Sequence, residues 1–275
     1  MTMTGYSPTS AMAPVLSKVP AITAGFWLIK ILATTFGETA GDTLSMSLDL
    51  GYLVSTAIFA SIFLLLCAIQ VRAMIFRPWL YWSTIIASTT AGTTLADFVT
   101  RSLGVGYAGG SFLLAALVAL TLLFWHRSPG GIASGSVQGR QPERWYWLTI
   151  TFSQTLGTAL GDWVADGAFG YLGSAVLFGT ILLVIAMLYR STAVSRTALF
   201  WAAFVITRPL GAVVGDFLDK PVEHGGLDLS RGGASLVLGL AIIALVEMMR
   251  RSRPAPGRTG DIHVFRAIRM GFGSR

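Results

Sequence analysis

Four aspartates carry the first chemical signal. Asp42, Asp97, Asp162 and Asp216 each stand fifteen residues after a tryptophan (Trp27, Trp82, Trp147, Trp201) and five after a glycine (Gly37, Gly92, Gly157, Gly211). An aromatic precedes each tryptophan: Phe26, Tyr81, Tyr146 and Phe200. The pattern [FY]-W-x9-G-x4-D therefore occurs four times without a gap. All four aspartates fall in apolar runs. At 1.5 Å per residue each sits roughly 22 Å along a helix from its tryptophan. A carboxylate at that depth in a bilayer costs several kcal/mol unless it is paired, hydrated or protonated. Groups placed there can bind a cation or carry a proton.

Residues three, four, seven and eight apart share a helix face. Four before the aspartates stand Glu38, Thr93, Thr158 and Ala212; seven before, Thr35, Thr90, Thr155 and Pro209; eight before, Thr34, Thr89, Gln154 and Arg208. Each copy thus presents one polar stripe, expected to line a polar cavity. Any single threonine can instead bond its own helix, an option that fits the whole stripe poorly. The copies differ: the first adds Glu38 and Lys30, and the fourth has Arg208-Pro209 in place of the threonine pair. Glu38, Asp42, Asp97, Asp162 and Asp216 against Lys30 and Arg208 make five acids and two bases, an excess that attracts cations. Thr35, Thr90, Thr155 and Gln154 are the supporting ligands; Lys30 and Arg208 are internal counter-ions.

The elements that position these residues follow from composition. The chain has 275 residues, 53% hydrophobic and 12% charged, with mean hydropathy +0.67. Ordinary soluble domains carry about 25% charge. The expected class is an all-α polytopic membrane protein, its partner the lipid bilayer. Eight spans are read at 22–44, 51–70, 79–101, 105–125, 145–167, 169–189, 197–218 and 233–249, each near the length needed to cross. They form four parallel two-helix repeats, in a pseudo-fourfold or 2+2 arrangement. A Gly-Tyr pair follows in three copies, at Gly51-Tyr52, Gly106-Tyr107 and Gly170-Tyr171. The aromatic pairs read as an interfacial belt, and the glycines as close helix packing.

The net charge of +7 sorts by position. Lys18, Arg72, Arg77, Arg127, Arg140, Arg144, Arg190, Arg196 and the arginines from Arg250 onward lie on one side. Arg101, Lys220 and Arg231 lie in the opposite loops, mixed with acids. The positive-inside rule places both termini in the cytoplasm of a bacterial inner membrane, so nucleic-acid binding is not needed to explain the basicity. The organisation read is a tail at 1–21, repeats 1 and 2 at 22–127, a Gly/Ser linker at 128–144, repeats 3 and 4 at 145–250, and a basic tail at 251–275. Met1 to Ser17 lacks a signal-peptide pattern. Ile262, Phe265, Ile268 and Phe272 among Arg266 and Arg269 suit an anionic membrane surface.

The segments Lys30-Ile-Leu-Ala-Thr-Thr-Phe-Gly-Glu-Thr-Ala-Gly-Asp42 and Thr207-Arg-Pro-Leu-Gly-Ala-Val-Val-Gly-Asp216 resemble an uncharacterised bacterial inner-membrane "membrane-anchored protein" family, over about 230 residues. Glu38-x-x-Gly-Asp42 also looks like the E-x-G-D motif of cation/proton exchangers that export manganese or calcium. Here the spacing is one residue longer, the following basic residue is absent, and there are four copies rather than two.

The function expected is a secondary transporter, in the export direction, for a small cation coupled to protons. Oxygen ligands favour a hard divalent ion such as manganese as substrate, with no permanently bound cofactor. Cys67 stands alone, His126 and His224 lie at loop edges, and His263 is in the tail. No catalytic triad or phosphate-binding loop is present, so an enzyme is not expected. A cation channel, an organic-anion or metabolite transporter and a non-transporting structural membrane protein are the alternatives; a homo-oligomer is compatible with each.

Overall fold

The computed structural model describes residues 18–132, 137 and 139–251. The tail as far as residue 17, the arginines from Arg253 onward and the amphipathic segment at 262–272 lie outside the described residues. Among the described residues eight α-helices follow one another: α1 Ala24–Asp42, α2 Gly51–Arg72, α3 Pro78–Asp97, α4 Gly106–Arg127, α5 Arg140–Val164, α6 Gly170–Ser191, α7 Arg196–Asp219 and α8 Arg231–Arg251. Their starts are locally encoded. The Thr23 hydroxyl caps α1 by accepting the Phe26 N–H, Ser195 caps α7 through Ala198, and Pro78 opens α3 where its missing N–H costs nothing. α7 runs unbroken through Pro209.

Three of the odd helices run on past their aspartate into a π-helical turn, Thr43–Ser47, Phe98–Ser102 and Ala165–Phe169. The next helix then begins at Gly51, Gly106 or Gly170, with φ of +72°, +73° and +62°. That left-handed backbone accounts for the glycine of each Gly-Tyr pair. The fourth copy lacks the π-turn and uses a loop with a short 3-10 turn at Val222–His224.

The odd helices form a closed inner ring, α1 against α3, α3 against α5, α5 against α7 and α7 against α1. Each even helix lies outside the ring and packs on the inner helix of the following copy: α2 on α3, α4 on α5, α6 on α7 and α8 on α1. The repeats are therefore interleaved. Leu64, Phe112, Leu183 and Val237 are exposed on the outer helices, an apolar surface suited to lipid. Among the described residues five helices, α2, α4, α6, α7 and α8, are long and apolar enough to cross a membrane. α1, α3 and α5 carry the polar stripes that lower their hydropathy.

The repeated glycines seal the ring. A Cβ on Gly37 would meet Thr89, on Gly92 Gln154, on Gly157 Arg208, and on Gly211 Thr34. Each glycine thus faces the residue seven after the tryptophan in the next copy, and the last faces the first. A second layer repeats this one turn on, with Gly41 against Thr93, Gly161 against Ala212 and Gly215 against Glu38.

The aromatic pairs correct the belt expectation. Phe26, Tyr81, Tyr146, Phe200, Trp82, Trp147 and Trp201 are buried. Each aromatic contacts the tryptophan of the next copy: Phe26–Trp82 at 5.6 Å, and Tyr81–Trp147, Tyr146–Trp201 and Phe200–Trp27 all at 5.8 Å between ring centres. Inward placement fills one end of the ring with a wheel of tilted and edge-on contacts. The Tyr81 and Tyr146 hydroxyls bond each other at 2.6 Å. Tyr81→Phe is expected to cost about 1–2 kcal/mol, because it strands the buried Tyr146 hydroxyl. Chemical unfolding in detergent micelles checks this, and an unchanged midpoint contradicts it.

Two boundaries also shift. Arg140 and Arg144 belong to α5 rather than to a linker. Lys18 is not a free tail charge: its Nζ donates to buried Glu143 at 2.7 Å and to the Val71 carbonyl at 3.1 Å. Gln70 donates to the other Glu143 oxygen at 3.3 Å. Pairing lets both charges be buried beside the aromatic wheel.

Candidate functional site

Beyond the aromatic wheel the interior of the ring is polar, in layers set by the repeat. In the first layer Lys30 is fully buried. Its Nζ donates to Gln154 Oε1 at 3.2 Å, from α1 to α5 across the ring, and lies 4.1 Å from the centre of the Phe204 ring. Lys30 makes no ion pair with a carboxylate among the described residues, which corrects its expected role as counter-ion to the acids.

In the second layer one residue from each copy converges. Ala212 is small, and the Arg208 side chain from the turn before occupies the space it leaves. Arg208 Nη2 donates to Glu38 Oε2 at 3.0 Å and to the hydroxyls of Thr93 and Thr158. The same Glu38 oxygen accepts from Thr93 at 3.3 Å and Thr158 at 3.4 Å. A single guanidinium thereby ties together all four copies, and Arg208 is ion-paired with Glu38.

The third layer holds the aspartates. Asp42, Asp97, Asp162 and Asp216 are all buried. The bases beside them come from the opposite loops. Arg101 bridges Asp97 (3.0 Å) and Asp162 (3.1 Å); Lys220 bridges Asp216 (3.0 Å) and Asp42 (2.9 Å). Arg231 at the start of α8 lies 3.5 Å from Asp219 and 3.9 Å from Asp42. Tyr52 and Tyr107 hold Arg101, the first accepting a hydrogen bond at 3.3 Å and the second offering its ring 5.6 Å away. Burial opposes charge on Lys220, yet Asp216, Asp42 and Asp219 outweigh it and hold its pKa above the usual lysine range. Lys220 therefore remains an ammonium ion.

Counted by residue type, acids and bases inside the ring and at its rim are consequently almost equal in number. Glu38, Asp42, Asp97, Asp162, Asp216 and Asp219 make six acids, and Lys30, Arg208, Arg101, Lys220 and Arg231 make five bases. The expected excess of five acids over two bases is corrected accordingly. Arg101 and Lys220 stand four residues after Asp97 and Asp216, a spacing at which side chains on one helix face meet. That signal was present in the sequence; their loop position obscured it. The equivalent residues in the other copies are Met46 and Asp166, so fourfold symmetry falls to twofold at this level.

The neutral ligands are also corrected. Thr35, Thr90 and Thr155 donate to the Ile31, Ile86 and Thr151 carbonyls of their own helices. The threonines that reach charged groups are Thr93 and Thr158, one turn nearer the aspartates. Back-bonding prevails at the first set because i−4 carbonyls are always within reach, whereas no charged partner is.

Carboxylate oxygens converge in two adjoining groups. Glu38, Asp162 and Asp216 each offer one oxygen, all within 4.8 Å of one another, and so do Asp42, Asp216 and Asp219. Asp216 belongs to both. One oxygen of Asp42, one of Asp162 and both of Asp219 accept no hydrogen bond from protein. Three oxygens at this separation match one face of a hard-cation coordination sphere. Asp97 stands outside both groups, beside Arg101.

No curated protein and no solved structure matches this chain. A family model described as Repeat of Unknown Function (DUF347) matches residues 25–76, 80–130, 145–194 and 199–254. Each match spans one tryptophan-to-aspartate helix and the outer helix after it. The chain belongs to this DUF347 repeat family and carries four copies of the repeat.

Proposed function

We propose that the protein is a secondary transporter that moves a small hard cation, with divalent manganese the first candidate, in exchange for protons. The observation that carries this reading is the pair of three-carboxylate groups sharing Asp216, buried inside a ring of helices. Arg101, Lys220 and Arg231 act as tethered substitutes for the cation, neutralising the carboxylates while the site is empty. An arriving cation displaces these side chains, and protons take its place when it leaves. In this reading all eight helices cross a bacterial inner membrane, with both termini cytoplasmic. The clustering of Arg72, Arg77, Arg127, Arg190 and Arg196 at the aromatic end supports that orientation. The likeness of Glu38-x-x-Gly-Asp42 to an exchanger motif supports the coupling to protons.

A carrier is favoured over an open channel by the second layer, where Arg208 and Glu38 meet across the ring and occupy its interior. The test is manganese flux into proteoliposomes holding a metal-sensitive dye, with and without an imposed pH gradient. Wild-type protein is expected to give gradient-dependent flux with opposite proton movement. Asp162→Asn and Asp216→Asn are expected to lower it at least about tenfold while eluting as monodisperse, folded protein. Undiminished flux in both variants overturns the assignment. Loss of folding without any wild-type flux supports a purely structural role.

A further inference from the structure

On the outside of the ring a groove of about 720 Å³ lies between α4 and α7. α4 packs on α5 and α6 on α7, and α7 presents the small residues Ala198 and Ala202 to the space between. The lining changes character along its length. At one end His126, in the last turn of α4, meets Ser195 and Thr197 at the start of α7. Ser195 Oγ accepts the Ala198 N–H, which leaves its own O–H to donate. Farther along, Leu122, Ala202, Val205 and Ile206 make the walls apolar. Trp201 completes the lining, edge-on against Trp125 at 5.5 Å. From Ser195 to Ile206 the groove follows α7 for roughly 16 Å. One leaflet of hydrocarbon is about 15 Å thick. The polar end lies at the aromatic end of the ring, where the exposed Arg127, Arg190 and Arg196 gather. Arg196 is held 4.2 Å over the Tyr189 ring. Neither chain segment that builds the groove, 122–132 or 195–206, contains an Asp or Glu.

We propose that this groove binds one phospholipid with a net negative headgroup, its phosphate at His126, Ser195 and Thr197 and one acyl chain along Ala198, Ala202 and Ile206. The apolar length matches a single chain of one leaflet, the imidazole and hydroxyls supply donors to phosphate, and the surrounding arginines favour negative charge. A second copy of this chain would cover the apolar walls but bring no anion to the basic end. The site requires only a bilayer around the helices, so its failure leaves the transport reading standing.

The test is native mass spectrometry of delipidated protein in detergent, offered equal amounts of phosphatidylglycerol and phosphatidylcholine with identical chains. Wild type is expected to retain phosphatidylglycerol about tenfold over phosphatidylcholine. Ala202→Phe fills the groove and is expected to lose both lipids. The double variant His126→Ala, Arg196→Gln leaves the groove open, and its preference is expected to fall to about twofold. That variant decides the matter even if Ala202→Phe does not fold. Equal retention of the two lipids by wild type overturns the site. So does an undiminished preference in the double variant, or unchanged retention by folded Ala202→Phe. A wild-type dimer that Ala202→Phe splits into single chains also overturns it, because the groove is then an interface between copies.

Discussion

Arg208→Met is expected to destabilise the protein by about 3–5 kcal/mol, the usual cost of stranding one member of a buried ion pair. The Arg208 guanidinium is wholly inaccessible and is, among the described residues, the only basic group paired with Glu38. Its removal leaves the Glu38 carboxylate with two threonine hydroxyls at 3.3 and 3.4 Å, which cannot replace a full charge. It also releases a side chain that touches all four copies. Adding Glu38→Met to Arg208→Met should restore most of the loss, since removing both charges together leaves no orphan. Unfolding midpoints of the four proteins in mixed micelles provide the cycle. Strictly additive losses would show that the two residues act independently, and the layer as described would be wrong.

Gly211→Ala is expected to cost about 3 kcal/mol through overpacking. The added methyl would overlap the Thr34 side chain and lie 2.9 Å from the Thr34 carbonyl carbon. A side-chain atom can rotate away, but that backbone atom belongs to α1, so α1 and α7 must separate. Because the ring is closed, separation at one seam strains the other three. Gly92→Ala should be similarly severe, since it meets Gln154 and Thr155 backbone at 3.0 Å. Gly179→Ala on outer helix α6 is the control: nothing lies within 4 Å, and alanine is the better helix former there, so a gain of up to about 1 kcal/mol is expected. Equal effects at Gly211 and Gly179 would sink the packing account.

Residues that every copy requires were legible in advance. Each glycine ten after a tryptophan must admit the next copy's helix, so ring closure imposes one spacing four times, while the inward packing of the aromatic pairs, read as a belt, emerged only from the ring. The positions where the copies differ were harder to read. Arg208 fills space that Ala212 leaves, a relation visible only once helices α1 and α7 are adjacent. Arg101 and Lys220 appeared to be loop charges because the sequence does not show a π-turn or loop folding them back onto the aspartates. Thr35, Thr90 and Thr155 resemble Thr93 and Thr158 in type and stripe. Only the register of neighbouring helices separates those that bond their own backbone from those that reach Glu38.

By itself, then, the sequence determined the all-helical class, the four repeats and the common position of the aspartates along their helices, because apolar length and spacing are local properties of a chain. The partners of those aspartates were decided by tertiary structure alone. Each carboxylate can accept any base within about 4 Å, and which base arrives depends on how four nearly equivalent helices close into a ring. Closure brought Arg101 between the second and third copies and Lys220 between the fourth and first, turning a stripe that looked strongly acidic into a nearly balanced network.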